Sequence, residues 1–133
     1  MLQRDYIQRL IREFMAAIQR FLEKKEIGER QQEARRLFIS YMGDYDFYHV
    51  AGFDDVMQSF ARYPEEERLW RMEMLAELYN AEADLLSGPM RTAQLDKAFM
   101  LFDFIDRHSG TYSPDRLRKM KDIDGRRHSD TAR

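Results

Sequence analysis

Asp46 and His49 form an Asp-x-x-His motif. That i, i+3 spacing sets a carboxylate and an imidazole on one helix face, as in di-iron bundles. Such centres need the motif twice, with two further glutamates projecting into the same core. Here it occurs once, inside the irregular, aromatic-rich stretch 43–53, GDYDFYHVAGF. Asp44 and Asp46 also imitate the start of an EF-hand loop, but His49 stands where that loop requires glycine and its closing glutamate is missing. Asp103, Asp106 and His108 make a looser cluster beside a helix end, where exposed charge is ordinary. From these spacings no metal and no other cofactor is expected.

Nucleophilic chemistry lacks its parts. The chain has no cysteine, and no Gly-x-Ser-x-Gly surrounds Ser40, Ser59, Ser87, Ser109 or Ser113. Beyond His49, only His108 and His128 offer imidazoles. The six glycines stand singly, at expected helix ends, and do not make a phosphate-cradling loop. Glu73 and Glu77 share a helix face, which solvation explains better than acid–base catalysis. The expectation is a protein without a catalytic residue.

The elements that must position these side chains are helices. The chain has 133 residues, 44% hydrophobic and 35% charged, enough for one domain with a real core. Only two valines (Val50, Val56), seven isoleucines and three threonines occur, so residues that suit a pleated strand are scarce. Net charge is −2, which excludes a strongly basic nucleic-acid binder. An acidic middle, 37–67, with Arg62 against seven carboxylates, lies between mildly basic ends. Arg and Glu interrupt every apolar run before it reaches the length of a signal sequence or a membrane span. The absence of cysteine fits a reducing compartment, and a cytoplasmic, bacterial protein is expected.

Helical periodicity divides the chain into five or six segments. The first runs from about Gln3 to Glu26, with Ile7, Leu10, Ile11, Phe14, Met15, Ile18, Phe21 and Leu22 at i, i+3, i+4, i+7 spacing and Gly28 as its stop. The second, Glu29 to Gly43, carries Ala34, Leu37, Phe38, Tyr41 and Met42. A short third helix, with Asp54 as N-cap, turns Val56, Met57 and Phe60 inward. The fourth opens at Pro64 and reaches Leu86. Its two apolar stripes, Leu69-Met72-Leu75-Ala76-Tyr79-Ala83-Leu86 and Trp70-Met74-Leu78-Leu85, predict the most buried helix. The fifth, Met90 to Arg107, presents Leu95, Ala98, Phe99, Phe102 and Ile105. Ser113-Pro114 opens a sixth with Leu117 and Met120 as its apolar residues. One all-helical domain over 1–124 is expected, with a disordered tail over 125–133.

A shift of 34 residues lays Phe38, Tyr41, Met42 and Tyr45 on Met72, Leu75, Ala76 and Tyr79. Thirty-four is the tetratricopeptide period, and Ala98 and Phe102 show the small-then-aromatic spacing of a second repeat helix. Residues 36–107 thus resemble two degenerate tetratricopeptide-type hairpins. Met42 and Ile105 stand where small residues are usual, and the segment from Tyr79 to Ala98 is about ten residues too long. A generic helical bundle is the other architecture. The opening LQRDYI and the later FIDRHSGTYSPDR also resemble a family of small bacterial helical proteins of unknown function, a likeness that implies no activity and no site.

Surfaces rather than catalytic parts then remain as the expected functional feature. Mapping the concave side of tetratricopeptide-like hairpins gives Arg36, Asp46, Trp70, Glu73, Glu77 and Asn80 as partner-binding residues, with Trp70 either an anchor or plain core. The first helix could dock on its own core, form a homodimer seam through Ile7, Leu10, Phe14, Ile18 and Phe21, or lie on a membrane surface. Its interspersed acidic residues speak against the last. The favoured reading is a non-enzymatic protein–protein interaction module or small adaptor. The alternative is a small-ligand- or metal-binding protein or enzyme using the acidic aromatic loop 43–55. A weaker third is nucleic-acid contact through Arg116, Arg118, Lys119, Lys121, Arg126 and Arg127.

Overall fold

The computed structural model describes residues 2–24 and 26–131. Within them the chain forms seven α-helices, one 3-10 turn and no strand: α1 Leu2–Glu23, α2 Ile27–Met42, α3 Asp46–Val50, α4 Phe53–Ser59, a 3-10 turn Phe60–Arg62, α5 Glu65–Ala83, α6 Gly88–His108 and α7 Pro114–Thr131. The protein is all-α. No helix among the described residues is long and apolar enough to cross a membrane.

α1 buries Ile7, Phe14, Ala17, Ile18 and Phe21, and Leu10 packs on the same core. It lies against α5 and α2. Four of the five residues considered for a homodimer seam are therefore buried inside their own chain, and the fifth packs beside them. Such a seam would require α1 to leave the core. Gly28 does not end α1; it sits in the first turn of α2, and α1 has already stopped at Glu23. Position 25, within the expected span of the first helix, lies outside the described residues.

α2 ends as its glycine predicts. Gly43 adopts φ +86°, and its N–H caps the Ile39 carbonyl. That left-handed conformation strains any residue with a Cβ. Arg62 donates to the Met42 carbonyl at 2.5 Å, satisfying another acceptor of the last turn. The stretch expected to be irregular contains the five-residue helix α3, which turns Tyr48 fully inward. α4 is capped by Gly52, with Asp54 in its first turn rather than at its cap.

α5 is the central helix. Ten of its 19 residues are buried, and it packs on α1, α2 and α6. Its two stripes explain this: Leu69, Leu85 and Leu86 are partly buried, and only Trp70 is exposed, at 45%, while Met74 and Leu78 of the same stripe are buried. α5 and α6, joined through residues 84–87, form the most extensive helix pair. A connection this short makes them antiparallel neighbours. α2 takes α5 and α1 as its principal partners. The α2–α4 pairing that a first tetratricopeptide hairpin would need is not among the principal helix contacts.

α7 departs most from expectation. Disorder was expected from Gly125, yet the helix continues to Thr131; residues 132–133 lie outside the described residues. Ile123, passed over in favour of Leu117 and Met120, is its fully buried residue. Beyond Ile123 the helix is held by charge. Arg126 pairs with Asp84, just past the end of α5, at 3.0 Å, and Arg127 pairs with Asp96 of α6 at 3.2 Å while its guanidinium lies 4.1 Å from the Phe99 ring centre. Asp122–Arg126 and Asp124–Arg127 add pairs along the helix itself.

Candidate functional site

The first half of α5 carries Glu66, Trp70, Glu73 and Glu77 at i, i+4, i+7, i+11, one stripe of a helix. What faces that stripe is set by the turn between α6 and α7. Ser113 begins α7: its hydroxyl accepts the Arg116 N–H at 3.2 Å, and Pro114 follows it at the first helical position. The Arg116 side chain, only 6% exposed, donates to Asp106 through Nε and Nη2 at 3.2 and 3.1 Å. It also donates to the Thr111 carbonyl at 2.7 Å. Gly110, at φ +69°, makes the bend possible. Arg116 thus ties residues 109–113 to the end of α6.

Between this turn and α5 lies a cavity of about 550 Å³. Its apolar walls include Leu69, Trp70, Ile105 and Tyr112, and its rim carries Glu65, Glu66, Glu73 and Asp115. A second cavity of about 190 Å³ adjoins it, where Ile11, Phe14 and Met15 of α1 meet Met74, Glu77 and Lys119. Trp70, Glu73 and Asp115 line both, so the two form one groove along α5. Volumes of roughly 300–1,000 Å³ are those in which clefts bury a compact ligand or a few side chains.

The groove is electrostatically lopsided. Lys119 donates to Glu77 at 2.5 Å and to Asp115 at 3.0 Å. Burial alone would lower its ammonium pKa; those bonds outweigh burial and raise it. Asp115 is held below the ordinary carboxylate value, chiefly by the bond from Lys119. Glu73 is the opposite case. Burial, and then the neighbouring Glu77, push its carboxyl up. Among the described residues it makes no hydrogen bond or ion pair. Trp70 likewise has no ring or cation partner there, although Phe21, Tyr45, Tyr63, Tyr79 and Phe99 each hold a cation over the face.

Of the six residues expected to bind a partner, the structure brings Trp70, Glu73 and Glu77 to this groove. Glu77 is buried under Lys119. Asn80 accepts from Arg126 and is covered by α7. Arg36 and Asp46 lie elsewhere, exposed, against Glu33 and Arg35 respectively. α7 thus covers the part of α5 that holds Glu77 and Asn80. Tyr112 carries no signal in the sequence, and Arg116 reads there only as a basic surface residue, because the chain path alone brings both to α5. An aromatic inside an acidic helical stripe was the available signal.

The aromatic loop folds inward. His49 Nδ1 lies 2.6 Å from the Tyr45 carbonyl oxygen and Nε2 2.5 Å from a Glu82 carboxylate oxygen of α5. Tyr45 and Gln94 also donate to Glu82, at 2.7 and 2.9 Å. Tyr79 donates to the Tyr48 carbonyl at 2.6 Å. Asp46 points outward while His49 points inward, so the Asp-x-x-His pair does not converge. No group of three or more metal-ligating side chains is assembled among the described residues. Five of the six basic side chains of α7 named for nucleic-acid contact face carboxylates: Arg116 meets Asp106, Arg118 and Lys119 meet Asp115, Arg126 meets Asp84, and Arg127 meets Asp96, while Lys121 is exposed.

No protein-family model, no curated protein and no solved structure matches this chain.

Proposed function

We propose that this protein is a non-enzymatic interaction module that receives a segment of a partner protein in the groove beside Trp70. One observation carries the reading. The only tryptophan of the chain stands 45% exposed on the wall of a cavity of about 550 Å³, while Met74 and Leu78 of its stripe are core. Half-exposed tryptophans at the centre of a pocket are the side chains that most often anchor an interface, because ring burial on binding releases much apolar area at little rotamer cost. A cytoplasmic setting agrees with the absence of cysteine. The resemblance to small bacterial helical proteins remains part of this proposal.

The test places a photo-crosslinking amino acid at Tyr112, which is 76% exposed and lines the cavity, in the cells from which the chain comes. A control carries it at Ile39, exposed on α2. A defined crosslinked protein at Tyr112, absent at Ile39 and lost when Trp70→Ala is added, supports the reading. Equal crosslinking at both positions, or none at Tyr112, overturns it.

A further inference from the structure

The groove has a sign as well as a shape. Its two cavities are lined by five carboxylates, Glu65, Glu66, Glu73, Glu77 and Asp115, against two cations, Arg116 and Lys119. Both cations are already engaged. Arg116 is bound to Asp106 and the 109–113 turn, and Lys119 bridges Glu77 and Asp115. Their donors are turned to the protein; both cations temper Glu73 from a distance, and the lining keeps a surplus of three carboxylates over cations.

Glu73 sits where the two cavities meet and carries the argument furthest. A half-buried carboxylate without a donor is held at a cost in free energy that a nearby cation would relieve. Beside it, Trp70 has the ring whose face attracts a cation best. Elsewhere the chain covers five aromatic faces with its own Arg and Lys. At Trp70 it covers none among the described residues, although Arg116 and Lys119 are near enough to line the same cavities.

From this charge complementarity we infer that the occupant is a basic peptide segment of a partner protein, with an apolar side chain seated among Leu69, Trp70 and Ile105 and an adjacent Lys or Arg set against Glu73 and the Trp70 face. The inference rests on the interaction-module reading and names the chemistry of the partner. An acidic segment would meet like charge on both walls, and an uncharged one would cover Glu73 without giving it a partner.

The single tryptophan makes the test direct, because emission reports on this site alone. The probes are fluorescein-labelled, end-blocked twelve-residue peptides alternating leucine with arginine, with glutamine or with glutamate, and spermidine as a free cation. Saturable binding of the leucine–arginine peptide with a shift of Trp70 emission is expected. Glu73→Gln should weaken it by about 5–10-fold, the loss of one charge-assisted contact. Glu29→Gln, a distant exposed carboxylate, should leave it unchanged, and the glutamate peptide should not bind. Circular dichroism of Glu73→Gln checks the fold, and the neutral side chain suits the partly buried position.

Equal affinity for the glutamine or glutamate peptide, with Glu73→Gln without effect, overturns the basic partner while leaving the groove as a peptide site. Weakening by Glu29→Gln as large as that by Glu73→Gln shows non-specific attraction and overturns it too. A Trp70 shift with spermidine at lower concentration than with any peptide assigns the groove to a small cation instead. If no peptide moves Trp70, the basic-segment inference fails, and the Tyr112 crosslink decides separately whether the module reading survives.

Discussion

Glu82 of α5 and His49 of α3 meet at 2.5 Å, with the carboxylate almost wholly buried and the imidazole partly so. This pair, 33 residues apart in sequence, fastens the aromatic stretch to the centre of the fold. Tyr45 and Gln94 complete the acceptor's partners. Replacing Glu82 by leucine takes away the partner of the Tyr45 hydroxyl and of His49 Nε2, and one of the two acceptors of Gln94 Nε2, which keeps the Tyr79 carbonyl. A loss of about 3–5 kcal/mol in urea unfolding is expected, the usual result of removing one member of a buried pair.

The same pair sets an acid limit. Burial pushes the Glu82 carboxyl up, but the hydrogen bonds from His49, Tyr45 and Gln94 outweigh it and hold the group below its ordinary 4.5. A depressed carboxylate stabilises the fold fully above its unfolded value, and the contribution is lost as pH falls through the folded value. The stability difference between the natural protein and Glu82→Gln should therefore be largest near neutrality and shrink below that ordinary value. A constant difference across the acid range would contradict the assignment.

Glu73 has the reverse sign. Its carboxyl is pushed up by burial and then by Glu77. A raised acid is best accommodated below its unfolded value, and its stabilising share is lost as pH rises through the folded one. Glu73→Gln should therefore unfold at a higher urea midpoint than the natural protein at neutral pH, with the gain fading in acid. A variant stabilised at neutrality yet weakened in peptide binding would mark Glu73 as a residue kept for recognition at the expense of stability.

α7 should behave as part of the domain. Ile123→Ala removes a fully buried side chain, and a loss of about 2–5 kcal/mol is expected by chemical denaturation. Trp70→Ala, at a half-exposed site, should cost less. Amide exchange in 125–131 should slow markedly relative to a free peptide of that sequence and speed up when Arg126 and Arg127 are both replaced by alanine.

The buried face of α1 makes a separate demand. Ile18 is 5% exposed, so Ile18→Asp places a charge in the core and should abolish cooperative unfolding. A well-folded Ile18→Asp monomer derived from a natural dimer, seen by light scattering and circular dichroism, would instead restore the homodimer seam.

Periodicity made most helices legible. Ile7, Phe14, Ile18 and Phe21 share one stripe and are buried together, and the double stripe of α5 marks the central helix. Both follow from local rules, since residues three and four apart must share a face whatever the rest of the chain does. α3, Asp46–Val50, has no such signature because five residues are too few to show a period. The end of α7 was missed because Arg126 and Arg127 hold it by ion pairs, and apolar spacing is blind to those.

From the residues alone follow an all-α fold, the apolar faces of its longer helices and the helix face that Glu73 and Glu77 share. The groove itself is tertiary. Lys119 reaches Glu77 across 42 residues, and Arg126 reaches Asn80 across 46. Those contacts close one half of the stripe and leave Trp70 and Glu73 open in the other. A local pattern tells which side chains share a surface. Which of them water still reaches depends on where the last helix lies down, and that is decided by packing and charge pairing between segments far apart in the chain.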